Sequence, residues 1–174
     1  MKIILTSPGG TLCVPASPMI NRADGGNLCV EPPKHIWDRS ELNREELIQW
    51  SLLIAASGRA MLDVLPQLVG GVINYWEAGN WSLNEAANPQ GPKVGSLHKS
   101  VHMHLIGRSP NATDPDWHWG EAPIFPTYEQ SKAWMVNKKS LNSDEYQAIS
   151  VRAADILVEQ YQVDRKNIEL PQLN

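Results

Sequence analysis

The sequence predicts an α+β fold with an antiparallel sheet, one long helix packed on it, and a helical C-terminal extension. Three observations carry this. A hairpin pattern fills residues 2–14, a single helical stripe runs from Asn43 to Leu65, and the element order is strands, helix, strands, helices. A doubly wound fold would instead alternate strand and helix along the whole chain.

The elements follow in order. Lys2-Ile3-Ile4-Leu5-Thr6 and Thr11-Leu12-Cys13-Val14 are the arms of the hairpin, with Pro8-Gly9-Gly10 as its turn. Asp24-Gly25-Gly26 is a second turn signal, and Asn27-Leu28-Cys29-Val30-Glu31 is a short strand ended by Pro32-Pro33. Asn43 with Glu46 three residues on forms a helix-capping pair. Leu47, Trp50, Ile54, Gly58, Met61 and Leu65 then recur on one helical face, and Pro66 stops the helix. Val72 to Trp76 is the next strand, residues 80–95 form a long polar loop, and a further strand spans Lys99 to Ile106. Thr127 with Gln130 opens a short helix to about Val136. Ser143 caps a longer one, with Tyr146, Ile149, Ala153, Ile156 and Leu157 on its apolar face.

A length of 174 residues suits one domain with an appendage. The expected division is a domain over residues 1–125 and a helical extension over 126–174, packed on that domain. The 42% hydrophobic share supports an ordinary core. Lys and Arg number 15 against 19 Asp and Glu, a net charge of −4, so no large basic face for a nucleic-acid polymer is expected. No apolar run approaches the roughly 20 residues of a membrane span. The opening Met1-Lys2-Ile3-Ile4-Leu5-Thr6-Ser7-Pro8 is too briefly apolar for a secretory leader. A cytoplasmic protein without membrane contact is expected. In that setting Cys13 and Cys29 are expected as buried, reduced thiols.

The most informative stretch is His98-Lys99-Ser100-Val101-His102-Met103-His104-Leu105-Ile106-Gly107-Arg108. Strand side chains alternate, so His98, Ser100, His102 and His104 are expected on one face. Val101, Met103 and Leu105 fall on the other, the core face. Such a row has three readings. It is a solvated polar face, a catalytic group using imidazole near its neutral pKa, or a transition-metal site on His98, His102 and His104.

The stretch resembles the histidine-triad (HIT) family, whose signature alternates three histidines with apolar residues. Here Ser100-Val101-His102-Met103-His104-Leu105-Ile106 matches every apolar position and the second and third histidines. A second block, Gly26-Asn27-Leu28-Cys29-Val30-Glu31-Pro32-Pro33-Lys34-His35, resembles the family's Gly-His strand that ends in Pro-Lys-x-His. Val72-Ile73-Asn74 resembles a third, looser block. The resemblance spans roughly residues 20–110.

The resemblance implies a HIT-like antiparallel sheet and a homodimer that hydrolyses or transfers a nucleotide or dinucleotide at the α-phosphate. It implies His102 as nucleophile, forming a nucleotidyl-histidine, and His104 as the phosphate or leaving-group partner. It further implies that a backbone carbonyl orients the nucleophilic ring, that no metal is obligatory, and that His35 is structural. Asn27, Asn74, Ser96 and Ser100 are the implied nucleotide or phosphate neighbours, and His98 is added to them from its place on the same strand face. Asn27 and Ser100 jointly stand where the family carries two histidines, and a bond between their side chains is expected. Ser96-Leu97 replaces an expected polar pair of phosphate donors. A nucleotide-binding or regulatory module with weak or no turnover is therefore the alternative. His98 has no family counterpart; it is either a substitute imidazole or a solvated strand-end residue.

No phosphate loop or dinucleotide fingerprint occurs, and no cofactor is expected. Trp117-His118-Trp119 either stacks on a nucleobase or anchors an irregular tail. Lys34, Lys93 and Arg108 are read either as phosphate contacts or, in preference, as solvated surface charges.

Overall fold

The computed structural model describes residues 1–171. Its sheet contains β1 (Lys2–Ser7), β2 (Gly10–Val14), β3 (Asn27–Glu31), β4 (Val72–Ala78) and β5 (His102–Arg108). The five strands run in the order β1-β2-β3-β5-β4, each antiparallel to its neighbours. The last strand in sequence is thus inserted between β3 and β4. The helices are α1 (Arg44–Val64), α2 (Gly95–His98), α3 (Tyr128–Met135) and α4 (Ser143–Glu159). The α+β class and the long helix on an antiparallel sheet are as the sequence predicts.

Asn43 caps α1 reciprocally: the Glu46 N–H donates to Asn43 Oδ1 at 2.9 Å, and the Asn43 N–H donates to Glu46 Oε2 at 2.9 Å. The buried positions of α1 include Trp50, Gly58 and Met61 from the expected stripe, with Leu53, Ala56 and Ala60 added. Leu47 and Ile54 are only partly buried. The stripe is broader than one face because α1 packs against both the sheet and α4. On α4 the expected Tyr146, Ile149, Ala153, Ile156 and Leu157 are all buried. Its cap is Asn142, one residue before the expected Ser143, because Asn142 Oδ1 accepts from the Glu145 N–H at 2.9 Å.

The sheet is covered on both sides. Leu12, Leu28, Val30, Met103 and Leu105 join α1 and α4 in the main core. On the opposite face Met19, Ile20, Ile106 and Trp117 form a second cluster, flanked by Trp76, Trp81 and Trp134. Residues 126–171 contribute to both: α4 to the main core, and Trp134 of α3 to the second cluster. Glu169 pairs with Thr6 on the outer side of β1, exchanging two backbone hydrogen bonds of 2.9 Å.

Gly25 and Gly107 meet backbone to backbone where the chain enters β3. A Cβ on either residue would collide with the other's carbonyl oxygen, and Gly25 also holds a φ of 143°. This close approach sets how β3 and β5 lie together beneath the histidines.

The strand expected from Lys99 begins only at His102. Residues 95–98 close a helical turn instead, and the His98 ring folds back on that turn, with Nδ1 2.9 Å from the Val94 carbonyl oxygen. No helix among the described residues is long and apolar enough to cross a membrane.

Candidate active site

The register of the sheet assembles the site. Cys13 lies opposite Cys29, Cys29 opposite His104, and His104 opposite Trp76. One rung thus runs Cys13, Cys29, His104, Trp76 across neighbouring strands. Alternation along β5 puts His102 and His104 on this side and Met103 and Leu105 in the main core. The expected two-sided strand is present from His102 onward.

A chain of contacts links the polar groups. His102 Nδ1 lies 3.0 Å from the carbonyl oxygen of Ser100. His102 Nε2 lies 3.1 Å from His104 Nε2. His104 Nδ1 lies 3.0 Å from Cys29 Sγ and 3.4 Å from Asn27 Nδ2. The tautomers follow from the partners. A carbonyl only accepts, so His102 carries its proton on Nδ1 and has a lone pair on Nε2. That lone pair accepts from the Nε2–H of His104. His104 Nδ1 is then an acceptor and faces the Cys29 thiol. Burial, and secondarily the neighbouring His102 ring, pushes the pKa of His104 down to about 3, so the ring is neutral at physiological pH. Burial pushes the Cys29 thiol up, aided by Cys13 and Glu31, so it remains a protonated donor.

Beside His102 and His104 opens a cavity of about 340 Å³, lined also by Met19, Trp76, Trp81, Asn80, Ser82 and Ser100. This is within the size range of small-ligand pockets, roughly 300–1,000 Å³. The Trp76 ring stacks on His104, with centroids 5.6 Å apart and planes 22° from parallel. Trp81 meets Trp76 edge-on at 6.5 Å. Among the described residues no Lys or Arg lines this cavity, so hydrogen-bond donors and aromatic faces supply its recognition chemistry.

The sequence-derived residues separate into two groups. His102, His104 and Ser100 line the cavity, and buried Asn27 stands behind His104. Three others lie elsewhere. His98 belongs to α2 rather than to the strand face, so the metal set of His98, His102 and His104 is not assembled. Ser96 is exposed on the same short helix. Asn74 Oδ1 accepts from Arg108 Nη1 at 2.8 Å and borders a separate cavity with Trp119 and Glu121.

The expected Asn27–Ser100 bond does not form. Asn27 uses its amide on backbone groups instead: Oδ1 accepts from the Met19 N–H at 3.2 Å, and Nδ2 donates to the carbonyls of Leu28 and Leu105 at 2.9 and 3.3 Å. Ser100 contributes its carbonyl rather than its hydroxyl.

Other expectations are corrected as well. Arg108 is buried rather than solvated, because its Nη2 reaches the carbonyl oxygens of His118 and Glu121 at 2.6 and 3.1 Å. Trp117 is fully buried and its indole N–H donates to the Met19 carbonyl at 3.0 Å. It is the anchor of the tail and does not stack on a ligand. Lys34, by contrast, is exposed as expected and pairs at the surface with Glu46 at 2.8 Å.

Sequence reasoning missed Cys29, Trp76 and Trp81. Cys29 alternates with Asn27 along β3, a signal that pairs them on one face, but only the register brings the thiol to His104. Both cysteines are free and buried, as expected.

No protein-family model matches the chain, and no curated protein is similar to it.

Proposed function

We propose that the protein is a HIT-like nucleotide hydrolase or transferase, acting at an α-phosphate through a nucleotidyl-histidine intermediate. One observation carries the reading: the Ser100 carbonyl lies 3.0 Å from His102 Nδ1, which puts the ring proton there and leaves the lone pair on Nε2 of a ring that lines the cavity. The motif resemblance supports the same assignment.

The steps follow from the tautomers. An entering phosphoryl group displaces the His102–His104 hydrogen bond. His102 Nε2 then forms a bond to phosphorus as the bond to the leaving group breaks. A phosphate leaving group departs as an anion; an amine departs with a proton from water. The freed His104 N–H donates to a phosphoryl oxygen and keeps its proton throughout. Water then attacks phosphorus, the N–P bond breaks, and the water proton passes to solvent. In a transferase an acceptor nucleophile replaces that water. Trp81 and Trp76 offer stacking faces for the base.

The test incubates the protein with a dinucleoside polyphosphate and a nucleoside phosphoramidate, then quenches it in base and examines it by mass spectrometry. Turnover and a nucleotidyl adduct on His102 are the expected results. Nucleotide binding by calorimetry without product or adduct favours the regulatory module. Absence of both binding and turnover overturns the proposal.

A second reading has an observation of its own. One donor atom each from Cys29, His102 and His104 lie within 4.8 Å of one another, a set suited to zinc or another thiophilic metal. Stoichiometric zinc in the purified protein, lost on Cys29→Ser, favours it over a metal-free hydrolase.

A further inference from the structure

We propose that Cys29 is a positioning residue: its thiol donates to His104 Nδ1 and so holds the His104 N–H on the cavity side. The inference rests on the proposed phosphoryl-transfer site for its functional meaning. The tautomer it assigns can be measured without any substrate.

The argument starts from the needs of the ring. A neutral imidazole has one N–H, and which nitrogen bears it is set by the partner of the other. For His104 to offer a hydrogen to a phosphoryl oxygen, Nε2 must carry it and Nδ1 must be an acceptor. Two donors approach Nδ1, Cys29 Sγ at 3.0 Å and Asn27 Nδ2 at 3.4 Å. Asn27 has only two amide hydrogens, and the carbonyls of Leu28 and Leu105 take both at shorter distances. The thiol is left as the group that fixes the tautomer.

The surroundings keep it in that role. Cys29 is 1% exposed and does not line the cavity, so it meets neither solvent nor a ligand there. The Cys29–His104 pairing is fixed by the β3–β5 ladder, and Trp76 stacks on the ring from the other neighbouring strand. The imidazole is therefore clamped by a thiol on one side and an aromatic plane on the other. Aliphatic residues at position 29 would fill the space but leave Nδ1 without a strong donor.

The experiment combines nitrogen-15 NMR of the histidine rings with kinetics, on the full-length metal-free protein. In the parent, His104 is expected in the Nε2–H form. Cys29→Ala is expected to give a mixture of the two tautomers and a fall in kcat on the order of 10-fold, with KM little changed, as when other ring-orienting hydrogen bonds are removed. Cys29→Ser, whose hydroxyl can still donate, is expected to restore the tautomer and most of the rate. Ser150→Ala, a buried change on α4 away from the cavity, is the control expected to change neither. An unaltered His104 tautomer in folded Cys29→Ala overturns the inference, as does failure of Cys29→Ser to restore it. A shifted tautomer in a protein with no turnover overturns the proposed reaction while leaving the positioning contact intact.

Discussion

The Nε2 atoms of His102 and His104 face each other across 3.1 Å. One is a hydrogen-bond donor and the other an acceptor, so two imidazoles of unequal environment share one proton position. The inequality comes from the sheet. His104 is 8% exposed and stacked beneath Trp76, whereas His102 is half-buried at the cavity wall. Burial withholds charge from His104, and the Ser100 carbonyl keeps the His102 proton on Nδ1, so the His102 Nε2 lone pair is the acceptor of the pair.

His102→Ala is expected to abolish both turnover and the nucleotidyl adduct. The folded state loses two hydrogen bonds of a half-buried ring, to the Ser100 carbonyl and to His104, so the loss of stability stays within about 2 kcal/mol. Mass spectrometry of the quenched protein and urea unfolding check the two halves. An adduct persisting in this variant would move the nucleophile elsewhere.

Acid is expected to destabilise the fold through His104. In the native protein this imidazole takes a proton only near pH 3, and in the unfolded chain near its ordinary value of 6.5. Between those values the unfolded chain binds more protons, so stability falls as pH drops through the window. The slope is at most about 1.4 kcal/mol per pH unit. Urea midpoints measured from pH 7 to pH 4 should fall more steeply for the parent than for His104→Asn. Parallel slopes would refute the assignment.

The two classes of tryptophan are expected to separate cleanly. Trp81→Ala removes a cavity wall and weakens binding of a nucleoside monophosphate by about 1–3 kcal/mol, with a smaller loss of stability than Trp117→Ala because the ring is only partly buried. Trp117→Ala opens a void in the second cluster and costs about 3–5 kcal/mol of stability. Calorimetry and thermal unfolding on both variants test the distinction. A reversal of the two effects would place the ligand surface around Trp117.

Gly107→Ala and Gly58→Ala should differ sharply. At Gly107 the new methyl meets the carbonyl of Gly25, a backbone group tied into β3, and the cost exceeds about 2 kcal/mol. At Gly58 it meets the Tyr75 hydroxyl, the free end of a side chain that is 50% exposed and can swing away. Alanine's better helix propensity offsets the remainder, so Gly58→Ala stays within about 1 kcal/mol of the parent. Chemical denaturation reads both.

Much of the fold is written in local chemistry. Asn43 with Glu46 and Pro66 mark the ends of α1, and Pro8-Gly9-Gly10 marks the hairpin turn, each through bonds a few residues apart. Alternation along β5 is equally local, so the outward row of His102 and His104 could be read directly. What escaped the reading depends on distant partners. The Cys29–His104 contact joins residues 75 apart and needs the register of two strands. Arg108 resembles a surface charge until the carbonyls of residues 118 and 121 cover it. His98 shows the limit of alternation itself: a short run fits a strand or a helical turn, and the backbone of Val94 decided for the turn.

The interior position of β5, between β3 and the edge strand β4, has a consequence for how the protein ages and inactivates. Cys29 and Trp76 hold His104 from strands on either side of β5, whereas Ser100, which orients His102, and Asn80, Trp81 and Ser82 of the cavity wall lie outside the strands. Heat or denaturant should therefore loosen the cavity wall before the sheet, so that the proposed nucleotide binding fades ahead of the loss of sheet structure.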